Sequence, residues 1–227
     1  MKSFGLLIAF FMFFLNACNS NEVRIVGEVG EGKGDTVALY GLSVESGDTI
    51  LLAVQGIEKG RVDLRTDKLQ LPAKVGLEIG GEKIFFIIAP EETVRIEWKT
   101  EDSCKICVRG GALEREFEAI YEVLNEKYEV PAQKLQTMIQ VLEQRQEKTE
   151  SEKKELKILY RNLERCKRYR KEYIKRTIEA NPEHELSLFL LWDELGDEVE
   201  LQDSLFKEMK IMNKKSNIYR LLAQKLL

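Results

Sequence analysis

The chain has 227 residues with 35 Lys and Arg against 39 Asp and Glu, a formal charge of −4, and 44% hydrophobic residues. A mildly acidic balance recruits neither nucleic acid nor an anionic membrane surface, and a single histidine excludes a histidine-rich metal site. The length is enough for one larger domain or two small ones that share a core.

The first element is Lys2 followed by an apolar run, Gly5 to Leu15, that ends in Leu15-Asn16-Ala17-Cys18. One cation, a run too short to span a bilayer comfortably and a small residue before a cysteine make a secretory signal. The stretch resembles a bacterial lipoprotein signal, with Asn16 departing from the commonest form. The resemblance implies removal of residues 1–17 and acylation of Cys18. Several acyl chains hold far more firmly than one, because each buried methylene adds about 0.8 kcal/mol. An uncleaved anchor with an incidental Cys18 is the alternative. The polar residues that follow, to Glu22, read as a tether over 18–22.

From Val23 to Lys99 short runs rich in β-branched residues alternate with turn residues. The expected strands are Val23 to Val29, Thr36 to Tyr40, Thr49 to Val54, Gly60 to Leu64, Lys74 to Ile79, Lys83 to Ile88 and Thr93 to Trp98. Intervening Gly, Asp and Ser residues point to hairpins. Gly30 to Gly34 could be asked to cradle phosphate. It lacks a Gly-Lys-Ser/Thr ending and leads into a strand, so a hairpin turn is the better reading.

Beyond Gly110-Gly111 the period becomes 3.6. Leu113, Phe117, Ile120, Tyr121, Leu124 and Tyr128 share one helix face, and Val130-Pro131 should end that helix. A second helix carries Leu135, Met138, Ile139 and Leu142. A third runs from about Ser151, its expected cap, to Ala180. Pro182 is placed to open a fourth, whose Leu186 to Leu195 is apolar nearly all round and so belongs at the buried centre. Two more, Leu201 to Met212 and Ile218 to Leu226, make about six. The fold class expected is α+β: an antiparallel β-sandwich or curled sheet over 23–109, then an α-helical domain over 110–227.

Past Cys18 three cysteines remain, Cys104, Cys107 and Cys166, so one thiol is left over unless pairing is intermolecular. Cys104-Lys105-Ile106-Cys107 has the spacing of dithiol oxidoreductases. No helix starts directly behind Cys104, however, and no Trp precedes it. In extended chain the two Cα atoms would lie roughly 10 Å apart, so a bridge needs a turn at Lys105-Ile106. A structural disulfide or two unpaired thiols is therefore preferred over redox catalysis. The basic run from Arg161 to Arg176, with Tyr160, Tyr169 and Tyr173 interleaved, could suit nucleic acid or lipid. The pairs Glu164 with Arg168 and Glu172 with Arg176 favour a solvated helix face. In Glu183-His184-Glu185, adjacent residues point in different directions and do not converge on a metal. Ser187 and Ser204 lack a nucleophile setting. No catalytic group, metal or cofactor is expected.

Taken together, Ile25-Val26-Gly27-Glu28-Val29, Asp35 to Tyr40, Gly47-Asp48-Thr49, Phe85 to Pro90 and Val108-Arg109-Gly110-Gly111 resemble, in their order, the domain of unknown function 4369. This β-rich domain is found on secreted lipoproteins of Gram-negative bacteria. Tyr173-Ile174 to Asn181-Pro182 and Leu188 to Leu191 are similar to the helical segment that precedes the thioredoxin-like domain of membrane-tethered thiol-disulfide oxidoreductases. The sequence stops about where that domain would begin. The resemblance thus implies an accessory, non-enzymatic binding or scaffolding module, lipid-anchored in the envelope through Cys18, with the outer membrane facing the periplasm as the expected location. Its expected partner is a thioredoxin-like or other envelope protein, and thiol-disulfide exchange by Cys104 and Cys107 is the alternative function.

Overall fold

Alternation of apolar and polar side chains shapes the first half of the chain. The computed structural model describes residues 22–29, 35–99 and 105–227. Within them lie β1 (Val23–Glu28), β2 (Thr36–Leu42), β3 (Thr49–Gly56), β4 (Arg61–Thr66), β5 (Ala73–Ile79), β6 (Glu82–Ile88), β7 (Thr93–Lys99) and β8 (Lys105–Arg109). They form two four-stranded sheets, ordered β4-β1-β7-β8 and β3-β2-β5-β6. Val23, Ile25, Leu64 and Ile96 from the first sheet share one core with Val37, Leu39, Leu77 and Phe86 from the second. Two apolar faces closed on each other make a β-sandwich.

The structure departs from the expected strands in two ways. The segment read as a β-to-helix junction is an eighth strand, β8, paired antiparallel with β7. The sandwich is also not wholly antiparallel. Hairpins join β2 to β3, β5 to β6 and β7 to β8, but β3 and β4 belong to different sheets and β1 runs parallel to β7. The chain leaves the first sheet after β1, and it returns beside β1 only after crossing through the second. That pairing is close at Gly27, where a Cβ would sit 2.2 Å from the carbonyl oxygen of its partner Ile96.

The helical half contains α1 (Ala112–Leu124), a π-helical turn (Asn125–Glu129), α2 (Val130–Glu143), α3 (Glu150–Ala180), α4 (Glu185–Glu194), α5 (Val199–Glu208) and α6 (Asn217–Leu226). The expected break at Val130-Pro131 does not occur. The Val130 N–H reaches back to the Asn125 carbonyl, and Pro131 sits in the first turn of α2, where a missing N–H costs least. α1, the π turn and α2 therefore run on as one rod. The cap of α3 is Thr149 rather than Ser151, in a capping box with Glu152. α4 starts at Glu185, with His184 as its cap, so Pro182 lies in the preceding turn. α5 ends at Glu208, short of Met212.

α4 fills the centre as its composition requires, with Leu188, Phe189, Leu190 and Leu191 all buried. Ile87, on the outer face of the second sheet, belongs to this helical core along with Phe117, Ile174 and Leu222. The helices are thus seated on the sandwich. Glu92, in the β6–β7 turn, accepts from the backbone N–H groups of Ala89 and Ala112 at 3.2 Å, standing in for the side-chain cap that Gly111 cannot supply. A Cβ on Gly111 would fall within 2.0 Å of that carboxylate. Glu114, one turn into α1, accepts from the Ile87 N–H at 2.6 Å on the unpaired side of β6. At the other end, the Asn217 N–H donates to the Gln70 carbonyl at 2.8 Å, and Asn213 Nδ2 to the Leu71 carbonyl at 2.9 Å.

Candidate binding cleft

Side-chain alternation gives the second sheet an outer face as well as an inner one. The register sets Leu51, Tyr40, Gly76 and Phe85 side by side in a row across all four strands. Leu51 is 53% exposed and Phe85 57% exposed. A bulge between Leu39 and Tyr40 keeps Val54 on the same face, beside Ala38 and also exposed. Phe85 lies over Gly76, where a Cβ would be 2.9 Å from the ring. Lys83 crosses the row with its ammonium 4.3 Å from the Tyr40 ring centroid and 5.6 Å from that of Phe85.

Where the helices stop covering this face, Trp192 and Asp193 at the end of α4 form a wall. The resulting cleft of about 260 Å³ is bordered by Tyr40, Thr49, Gly76, Phe85 and the Lys74–Asp193 pair. Lys74 Nζ is 2.5 Å from Asp193 Oδ2 and 5.4 Å from the Phe117 ring centroid. Burial raises the Asp193 carboxyl above its ordinary pKa, and Lys74 opposes that. The Tyr40 phenol is also raised, by burial and by Glu78 beside it. Chemically the cleft offers three aromatic rings, a neutralised ion pair at one end and an apolar row continuing out of it.

The residues singled out in the sequence fall elsewhere. Cys18, Cys104 and Gly30 to Gly34 lie outside the described residues. Cys107 sits in β8 opposite Glu97 and, like Cys166, is free. Lys105 and Ile106 are extended where a Cys104–Cys107 bridge would need a turn. His184 lies 3.4 Å from Glu116, beside a second cavity of about 390 Å³ that Glu92, Glu183 and Met212 also border. Among the described residues no group of three or more His, Cys, Asp and Glu could hold a metal. Ser187 Oγ donates to the Asn181 carbonyl at 2.7 Å.

The basic run is only partly a solvated face. Glu172 pairs with Arg176 as the spacing predicts, while Glu164 pairs with Lys167. Arg170 turns inward, its Nε 2.5 Å from Glu129 and its Nη1 2.6 Å from Glu194. Glu194 also accepts from the Tyr121 hydroxyl, and burial with that bond raises the phenol well above its ordinary pKa.

Tyr40, Thr49 and Phe85 stood in the motifs of the resemblance, but no cleft residue was picked out from the sequence as a site residue. The available signal was the unbroken apolar runs Ile50 to Val54 and Ile84 to Ile88, which mark strands apolar on both faces. Periodicity cannot say which of those faces is left open. The chain matches no protein-family model, no curated protein and no solved structure. The family resemblance therefore rests on the quoted residues alone.

Proposed function

We propose that this chain is a non-enzymatic binding module of the cell envelope, tethered by lipid on Cys18, that grips a partner protein through the cleft on the outer face of the second sheet. The observation that carries this reading is the open row of Leu51, Tyr40 and Phe85 running into the Trp192 wall. A partner protein suits this site better than a free small molecule. The cleft, at about 260 Å³, is below the roughly 300–1,000 Å³ of ordinary ligand pockets. It is large enough for one or two anchoring side chains, and the exposed row beside it supplies the flat surround of a protein interface. The resemblance to the region that precedes thioredoxin-like domains makes a thioredoxin-like envelope protein the first candidate partner.

The test is co-purification of the full chain from its own membranes, comparing wild type with a Leu51→Ser, Phe85→Ser double variant. Both side chains are exposed, so the variant keeps its fold, which circular dichroism verifies. A partner retained by wild type and lost from the variant supports the reading, and equal recovery from both contradicts it. In parallel, Cys18→Ala should move the chain from the membrane to the soluble fraction. If it stays in the membrane fraction, lipid anchoring at Cys18 is wrong.

A further inference from the structure

We infer that one flank of the α2–α3 hairpin lies against an anionic phospholipid surface, with Met138, Val141 and Ile158 among the headgroups and Lys134, Lys154, Arg161 and Arg165 on their phosphates. The hairpin has a small core of its own, in which Ile139 and Leu142 meet Leu159 and Leu163. The sequence grouped Met138 with Leu135, Ile139 and Leu142, but the structure leaves it outside their seam. Met138, Val141 and Ile158 are 47%, 52% and 55% exposed. At 100° per residue Lys134, Met138 and Val141 fall within about 60° of one another on α2, and so do Lys154, Ile158, Arg161 and Arg165 on α3. In an antiparallel hairpin the phase of the two seams brings Ile158 to the flank that carries Met138, with the three α3 cations along its outer border.

Charge identifies the occupant. The chain as a whole stands at −4, yet Val130 to Ala180 holds 14 Lys and Arg against 8 Glu, an excess of six positive charges. The mildly acidic balance read from composition therefore hides a basic hairpin. Every Glu of α3 except Glu155 is paired within the hairpin, and Glu143 accepts from the Tyr160 hydroxyl. Lys134, Lys154, Arg161 and Arg165 are exposed and have no ion-pair partner among the described residues. Cations that bracket single apolar side chains on a convex helix pair match a headgroup layer. Their aliphatic stems lie along the acyl boundary with the charged ends at phosphate, which an arginine fork grips through two bonds, and the apolar tips enter below. Tyr169, eleven residues on from Ile158 and so on nearly the same line of α3, is 50% exposed and adds a ring with one apolar and one polar end, as that boundary favours. The choice of a bilayer over an acidic protein rests on the envelope placement proposed above, which keeps lipid phosphate within reach of every copy.

The test reconstitutes the full chain with vesicles of phosphatidylcholine alone or of an equal mixture with phosphatidylglycerol. An environment-sensitive fluorescent amino acid replaces Met138, and a control carries it at Val54 on the sandwich, which is 55% exposed. Emission from position 138 should shift to the blue in the mixed vesicles and not in phosphatidylcholine, with position 54 unchanged. Lys154→Gln, Arg161→Gln and Arg165→Gln together should remove most of that shift, because each cation near an anionic surface adds to the attraction. The three side chains are exposed and unpaired, so the variant keeps its fold, which circular dichroism verifies. Sedimentation with the vesicles reads the anchor and emission reads the hairpin, so the two fail separately. No shift, an equal shift in both kinds of vesicle or an undiminished shift in the triple variant overturns the proposal. So does a shift confined to native membranes, which would make a protein the occupant.

Discussion

Glu114 carries the clearest solution signature in the molecule. It is 5% exposed, and burial lifts its carboxyl from 4.5 to about 7; Glu118 and Glu92 push the same way, while the Ile87 N–H and Lys74 oppose. A carboxyl whose pKa is raised on folding binds more protons in the native state than in the unfolded one. Its contribution to stability is therefore present in full below about 4.5 and lost as pH rises through about 7. Glu114→Gln keeps an acceptor for the Ile87 N–H and removes the titration. Urea unfolding between these two pH values should lose most of its downward slope in the variant, and an unchanged slope would assign the effect to another group. Nothing in the sequence marked Glu114, because its burial is created by the seating of α1 on β6, a contact with no local pattern. Gly110-Gly111 was legible only as a boundary; the structure adds that Gly111 leaves room for Glu92 to cap the helix.

Strands and helices were largely readable because two periods, 2 and 3.6, divide the chain near Gly111. Failures came where a local rule met a tertiary alternative. Pro131 reads as a stop, yet the π turn before it absorbs the proline, and Arg170 braces that turn by joining Glu129 to Glu194. Replacing Arg170 with Met keeps most of the aliphatic packing and leaves Glu194 buried against Tyr121 without its cation. The cost should be about 2 kcal/mol in chemical denaturation, since both lost bonds are charge-assisted and only part-buried. A change within error would make the network ornamental. The parallel β1–β7 pairing was likewise invisible, because alternation reveals a strand but not its direction. Gly27→Ala should cost about 3 kcal/mol, because the new methyl meets backbone rather than a movable side chain. A mild effect would mean that β1 and β7 part more easily than the register indicates.

At the level of the whole protein, the sequence foretold a β half and a helical half, and the structure shows how they combine. The helices cover one end of the second sheet through Ile87 and Lys74 and leave its other end open. The cleft exists because that cover is incomplete, which explains why neither half of the sequence announced it. In the proposed account one end of the chain is fixed to lipid and the sandwich presents the partner site. The most direct test of the central claim is a photoreactive amino acid at Phe85 in the lipidated protein, irradiated in its own membranes, with the same group at exposed Arg61 on β4, an edge strand of the first sheet, as control. The account predicts a discrete protein adduct from position 85 that is absent from position 61 and is suppressed by Leu51→Ser. Adducts that are equal at the two positions, or none at position 85, would contradict it.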